Sequence, residues 1–144
     1  MMSKLFFYDS PILPAGFIFP KSYLDLAKDQ HIPRLEPWEF LFNNMPRSLN
    51  YYGAMLQKYP DKPLIPFAII DDKSGFYNDG YAVLACFDGD DSSGDPKVYF
   101  HDYLNPKRID WPDRYSLQNF AGWMRVAREE SARYLADRAE ELEE

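Results

Sequence analysis

The sequence has 144 residues, with 23 acidic and 16 basic side chains for a net charge of −7, and 17% of its residues are aromatic. The length suits a single domain, and the aromatic content excludes a disordered chain because these side chains supply the apolar area that offsets chain entropy. The negative charge argues against nucleic-acid binding, since a phosphate backbone would be repelled, and it suits a basic protein partner.

The N-terminal part of the chain is predicted to hold an apolar arm followed by short helices. Residues 1–18 combine aromatic and aliphatic side chains with two prolines, which fix φ and remove N–H donors. We therefore expect an extended arm that packs on the core. Short helices are predicted over 22–29, 37–44 and 47–58, where apolar residues recur at helical spacing.

The middle of the chain switches to the pattern of β-strands. Apolar runs of strand length cover 64–70, 81–87 and 97–103, and turn-rich segments join them. Sequential strands joined in this way predict an antiparallel meander. Pro66 lies inside the first run and cannot donate to a neighbouring strand, so this run is predicted to lie at an edge or to carry a bulge.

A long C-terminal helix is the clearest predicted element. Ser116 is the expected N-cap. From Leu117 to Tyr134, residues recur every three or four positions and form one face of the helix, which is predicted to be buried. Residues 139–144 hold four carboxylates at the helix C-terminus, where the macrodipole disfavours negative charge, so this tail is expected to fray. The elements together predict a single α+β domain over 1–144, with short N-terminal helices, a mostly antiparallel sheet and a long C-terminal helix.

The cysteine content and the lack of long apolar runs bear on compartment and cofactors. Cys86 is the single cysteine, which excludes an internal disulfide and a thiolate metal cluster. Asp9 interrupts the short apolar run near the N-terminus, so no secretory signal is expected, and no apolar stretch approaches the ~20 residues of a membrane span. We therefore expect a cytoplasmic protein without a cofactor and without membrane or nucleic-acid partners.

The densest polar cluster lies over residues 88–95 and contains Asp88, Asp90, Asp91 and Asp95. Aspartates at alternate positions resemble the ligand spacing of an EF-hand calcium-binding loop. However, Ser93 and Tyr99 occupy the positions where an EF-hand requires glycine and glutamate. Three interpretations stay open: a divalent site of another kind, a solvated turn between strands, and an acidic loop that docks a protein. Docking would use all four aspartates as partner-binding residues.

Cys86, His101 and Asp102 have the residue types of a thiol-dependent catalytic site. His101 and Asp102 are adjacent on a predicted strand, so their side chains point to opposite faces of the sheet. A buried core cysteine is therefore the preferred interpretation. Since the sequence also has no nucleotide-binding loop, nucleophile elbow or paired-histidine motif, it predicts no catalytic residue and a protein that is not an enzyme.

Several segments, in this order, resemble the SUKH superfamily, the Smi/Knr-type domain of bacterial immunity proteins and of a fungal cell-wall regulator. The segments are 19–24, 59–68, 83–91, 98–103 and 111–123. The order carries the resemblance, with Leu-Ile-Pro-Phe-Ala at 64–68 opening a strand and an aspartate-rich turn following the next one. The likeness covers about residues 19–130.

The SUKH resemblance implies an α+β fold and a binding role, since many members neutralise a cognate toxin in polymorphic toxin systems. It carries over no catalytic residue. The predicted function is therefore a protein-binding module, an immunity protein whose partner is a basic toxin such as a nuclease. Two alternatives stay open: a regulatory or scaffold protein without a toxin partner, and a metal-dependent hydrolase that uses the 88–95 loop.

Overall fold

The computed structural model describes residues 5–8, 12–29, 32–104 and 116–143 and has an α+β architecture. In chain order, the elements are α1 (Lys21–Lys28), β1 (Trp38–Phe40), α2 (Met45–Lys58), β2 (Leu64–Ile70), β3 (Val83–Asp88), β4 (Val98–Asp102), β5 (Ser116–Leu117) and α3 (Phe120–Glu143). The predicted fold class is confirmed, because the chain forms a five-stranded antiparallel sheet, helices α1 and α2 precede strands β2 to β5, and α3 is a long C-terminal helix. Within these ranges, no helix combines the length and the apolar content of a membrane span.

The five strands form one sheet in the order β1-β2-β3-β4-β5, so each strand pairs with its neighbours in sequence. All the pairings are antiparallel, which confirms the predicted meander. Strand β2 is buried along its whole length. This burial on both faces explains why its sequence is almost continuously apolar.

A β-bulge interrupts β2 beside Pro66. Pro66 pairs with Cys86 of β3, and Ala68 pairs with the adjacent Ala85. Phe67 is therefore an extra residue in β2 that has no partner position in β3. The bulge changes the alternation of side chains, and Phe67 and Ala68 both contribute to the same core. The prediction of an edge or a bulge in this strand is therefore confirmed.

The sheet separates two apolar cores. On one face, α1 and α3 cover the aromatic core, which is centred on Tyr23, Phe67, Phe87, Phe120 and Trp123. On the other face, α2 covers a smaller core, which we call the α2 core. Its buried members are Leu41, Met55, Tyr59, Leu64, Ile69, Leu84, Cys86 and Tyr99.

The prediction of a helix over 37–44 is wrong, because this segment contains strand β1. Strand β1 pairs with the end of β2. Trp38 is 5% exposed, and its ring packs edge-on against Trp123 with 5.4 Å between the ring centroids. Aromatic residues suit a pleated, half-buried surface, so pairing with a buried strand outweighs a weak local preference for helix.

Helix α3 begins later than predicted. Ser116 belongs to β5, so its prediction as the N-cap is wrong. Asn119 caps the helix, since its Oδ1 accepts a hydrogen bond from the backbone N–H of Gly122 at 2.9 Å. The helix extends to Glu143, and fraying of its acidic end stays a prediction. The predicted buried face is confirmed at Phe120, Met124, Ala127 and Ser131.

The N-terminal arm packs on the core, as predicted, in the parts that the structure describes. Tyr8 is 7% exposed. Its hydroxyl donates to the carbonyl oxygen of Ser48 at 2.9 Å, and the carbonyl oxygen of Pro66 is a second acceptor at 3.1 Å. The Tyr52 hydroxyl donates to the carbonyl oxygen of Ile12 at 2.7 Å. These bonds tie the arm to α2 and β2.

Candidate functional site

The predicted docking site is the loop between β3 and β4, residues 88–95, which we call the acidic loop. Asp88 is only 8% exposed, and its Oδ1 accepts a hydrogen bond from the backbone N–H of Asp90 at 3.0 Å. This arrangement closes an Asx turn. Because the carboxylate of Asp88 supports the loop backbone, we leave it out of the docking residues proposed below.

Further turns in the acidic loop are closed by its own side chains. Asp91 Oδ1 accepts from the backbone N–H of Ser93 at 2.9 Å, and Ser93 Oγ accepts from the backbone N–H of Asp95 at 3.1 Å. Hydrogen bonds from the Ser93 side chain and backbone lower the pKa of Asp91, so its carboxyl group stays ionised. The loop is thus ordered by local bonds that need no partner.

Two glycines bring the acidic loop against neighbouring segments. A Cβ atom at Gly89 would lie 2.8 Å from the carbonyl oxygen of Pro63, to which the Gly89 N–H donates at 2.9 Å. Gly94 has a φ of +84°, a conformation that favours glycine, and it lies beside Ile18 of the arm. Close contacts with Pro63 at one glycine and with the Ile18 side chain at the other therefore limit the shape of the loop.

Three carboxylates of the acidic loop lie at or near the surface. Asp90 and Asp95 are exposed and Asp91 is half-buried. The Lys62 Nζ lies 3.5 Å from Oδ2 of Asp90, but exposed ion pairs of this kind add little stability. Asp95 Oδ2 accepts a hydrogen bond from the Asn119 side-chain amide at 3.2 Å. We call Asp90, Asp91 and Asp95 the acidic patch.

The hydrolase alternative needs a set of metal ligands. Among the residues that the structure describes, no group of three or more His, Cys, Asp or Glu side chains is arranged to hold a metal ion. The Asp88 and Asp91 carboxylates accept hydrogen bonds from the loop's own backbone N–H groups. The described residues therefore contain no set of metal ligands that would support the hydrolase alternative.

His101 and Asp102 lie on opposite faces of the sheet, as the strand pattern predicts. His101 is 3% exposed, and its Nδ1 lies 2.8 Å from the hydroxyl of Tyr59 in the α2 core. Asp102 instead accepts a hydrogen bond from the side-chain amide of Asn78 at 2.8 Å. Cys86 is fully buried in the α2 core, which confirms its prediction as a core residue. Asp102 is not placed to orient His101 toward the thiol.

We expect Cys86→Ala to lower the free energy of unfolding by about 1 kcal/mol, because it removes one buried sulfur atom and leaves a small cavity. Partner binding should persist, since Cys86 has no exposed surface. Urea unfolding measures the stability change. Rapid labelling of the native protein by a thiol reagent at neutral pH would contradict a buried, inert thiol.

A surface that the motif search missed lies on the outer side of α2. Its exposed apolar residues are Met45, Leu49 and Leu56. One property of the sequence does mark this region: no Asp or Glu occurs between Glu39 and Asp61, the longest such interval in the chain. A search for charge depletion, in addition to charged clusters, would have found it.

The comparisons with known proteins leave the family open. No protein-family model, no curated protein and no solved structure matches the chain. The resemblance to the SUKH superfamily therefore stays a prediction, and its stretch around Trp111 lies outside the described residues.

Proposed function

We propose that this chain is a protein-binding module that acts as an immunity protein, binding a basic bacterial toxin such as a nuclease and blocking it sterically. The observation that supports a binding role is the acidic patch, whose carboxylates extend from a loop held by its own hydrogen bonds. The choice of a toxin as the partner rests on the SUKH resemblance. A cytoplasmic location is part of the same proposal.

The order of the acidic loop suits it to binding. Association normally requires loops and side chains to be ordered, and a loop that is already ordered has less entropy to lose. Clustered charge also accelerates encounter with a partner of opposite sign, by ~100-fold or more at low salt. Salt screens this attraction over ~8 Å at physiological ionic strength, so the acidic patch should act mainly on the association rate.

Changing Asp90, Asp91 and Asp95 together to asparagine should slow association with the toxin by ~10- to 100-fold at low salt and should flatten its salt dependence. Asparagine forms the same kinds of turn as aspartate, so the loop should keep its fold. The measurement is the association rate constant over a series of salt concentrations. Unchanged salt dependence would remove the acidic patch from the interface.

A matched control removes the same number of charges elsewhere. The variant Asp137→Asn, Glu140→Gln, Glu141→Gln changes three exposed carboxylates of α3 and shifts the net charge equally. It should weaken long-range attraction slightly and leave most of the salt dependence in place. Equal effects of the two triple variants would show that net charge, and not the acidic patch, steers binding.

Growth rescue tests the toxin part of the proposal. The partner for this test is a protein encoded next to the gene of this chain whose expression alone arrests growth. Co-expression of the wild-type chain should relieve growth arrest by the toxin, and the acidic-patch variant should relieve it less. If no neighbouring gene encodes a protein that binds this chain, the regulatory or scaffold alternative replaces the immunity role.

A further inference from the structure

A cavity of about 290 Å³ lies between the β2–β3 loop and the middle of α3, and we call it the α3 cavity. Phe76 and Tyr77 line it from the loop, and Tyr134 lines it from the helix. The ring of Tyr134 meets that of Phe76 at 70° with 5.7 Å between the centroids, and that of Tyr77 at 65° with 6.3 Å. The three rings therefore line the cavity at steep angles to one another and do not form a flat stack.

The helix side of the α3 cavity also carries charge. Glu130, Arg133 and Asp137 line it, at steps of three and four residues along α3. Residues at such steps share one helix face. None of the ion pairs between described residues involves either of these two carboxylates. The cavity therefore combines aromatic rings with carboxylates that no cation contacts directly in this part of the chain.

The carboxylate of Glu130 is held in place by two neutral donors. Its Oε1 accepts from the indole N–H of Trp38 at 3.4 Å, and its Oε2 accepts from the hydroxyl of Tyr77 at 3.3 Å. Burial, together with the charge of Glu130, raises the pKa of Tyr77 to about 12, so this phenol stays a donor at neutral pH. A carboxylate accepts about four hydrogen bonds, so Glu130 can accept more from a ligand.

The aromatic wall of the α3 cavity is fixed by Asp72. Its carboxylate accepts hydrogen bonds from the backbone N–H of Tyr77 at 2.9 Å and from that of Ser74 at 3.1 Å. The hydroxyl of Tyr134 lies 3.4 Å from the same carboxylate, which links the loop to α3. Because these bonds order the wall in the single chain, a ligand has little ordering entropy to overcome.

Aromatic rings beside carboxylates suit a guanidinium group better than other ligands. Ring faces attract cations, and the planar guanidinium both stacks on rings and donates in parallel to a carboxylate. The chain contains one example, since the guanidinium of Arg138 lies 5.0 Å from the ring centroid of Phe76. Arg138 pairs with Glu141 at 3.6 Å and is not among the residues that line the cavity. Glu130 and Asp137 are therefore left for a second cation.

We propose that the α3 cavity binds the guanidinium group of an arginine side chain on a basic protein partner. The rings contact the planar face of this group, and Glu130 accepts its N–H donors. That the arginine belongs to a partner protein rests on the binding role proposed above, whereas the affinity for guanidinium does not. Arg133 is exposed, and its like charge opposes the ligand. We therefore expect a low affinity for a single side chain, with a dissociation constant on the order of 1–10 mM.

Titration with N-acetylarginine amide, followed by nuclear magnetic resonance, tests the site in the full chain. Saturable shifts should appear in the backbone amides of residues 76–77 and 130–137. N-acetylcitrulline amide has nearly the same shape without the charge, and it should bind at least ~10-fold more weakly. Equal binding of the two probes, shifts confined to other residues, or no saturation by the arginine probe up to ~50 mM overturns the proposal.

Three variants of α3 separate the α3 cavity from the general attraction of an acidic chain. Glu130→Gln should weaken binding of the arginine probe at least ~5-fold, because it removes the charge and keeps an acceptor for the existing donors. Glu129→Gln makes the same change at an exposed residue outside the cavity and should alter binding less than ~2-fold. Arg133→Gln removes the opposing charge and should leave binding as tight or tighter. Equal effects of the two glutamine substitutions at glutamate, or weaker binding by Arg133→Gln, overturns the proposal.

The acidic-patch variant distinguishes this proposal from the proposed function. It should bind the arginine probe as the wild type does, because its three substitutions lie in the acidic loop and outside the α3 cavity. Loss of probe binding in that variant would move the guanidinium site to the acidic loop and overturn the proposal. The salt dependence of association with the toxin is a separate measurement, so either result can fail while the other holds.

Discussion

Replacing Phe67 with alanine is expected to lower the free energy of unfolding by about 3–5 kcal/mol, a large part of the stability of an ordinary domain. Phe67 is 1% exposed, and its ring stacks on Phe87 with 4.1 Å between the centroids. It also meets Trp123 edge-on at 5.0 Å. Because close-packed cores relax only in part, the substitution leaves a cavity in the aromatic core.

Phe76→Ala is the matched control for this prediction. Phe76 is 36% exposed, and the Arg138 guanidinium lies 5.0 Å from its ring centroid. An exposed cation–π contact is weak, so the expected cost is about 1 kcal/mol or less. Urea unfolding followed by tryptophan fluorescence measures both variants. Comparable losses would contradict the placement of Phe67 at the centre of the aromatic core.

Alkaline solution is expected to remove at least about 3 kcal/mol of stability by pH ~11, of which the buried phenols of Tyr8 and Tyr23 account for about 1.4 kcal/mol each. Burial raises the pKa of Tyr23 far above the usual value for tyrosine, and burial also raises the pKa of Tyr8. Above pH ~10 the unfolded chain loses phenolic protons that the native chain keeps, so stability falls as the pH rises. Below pH ~10 both states keep these protons, and this contribution to stability is complete.

Tyr23→Phe should reduce the alkaline loss at pH ~11 by about 1.4 kcal/mol, because it removes one buried phenol whose pKa is raised. Tyr81→Phe is the control, since Tyr81 is 51% exposed and its phenol contacts solvent in the native state. Urea unfolding over a pH series from ~8 to ~11 gives the slope for each variant. Identical slopes for the wild type and Tyr23→Phe would show that this phenol is not a source of the loss.

The candidate docking site could be predicted only in part from the sequence. The cluster of aspartates over 88–95 is visible as composition, and its position between two strands follows from the flanking apolar runs. Which carboxylates reach solvent depends on the turns that the loop adopts. Asp88 ends β3 and closes a turn, whereas Asp90 and Asp95 extend outward. Side-chain-to-backbone bonds of this kind have no periodic pattern that a sequence search can detect.

The outer side of α2 shows the same limit for a helix. Helical spacing groups Leu49 and Leu56 with Tyr52 and Met55, and it predicts the helix correctly. Packing then buries Tyr52 and Met55 and leaves the two leucines exposed. Two apolar faces on one helix have the same spacing, so only the contacts with the sheet distinguish the core face from the free one.

Local sequence was sufficient for the α+β class, for helices α1, α2 and α3, and for the three central strands, because apolar periodicity and turn residues act within a few positions of each other. Contacts between distant segments were needed for the rest. Residues 38–40 form a strand because they pair with β2, and Ser116 lies in a strand because it pairs with β4. Such pairings depend on neighbours far along the chain, and their free energy exceeds the small local preferences that a single segment expresses.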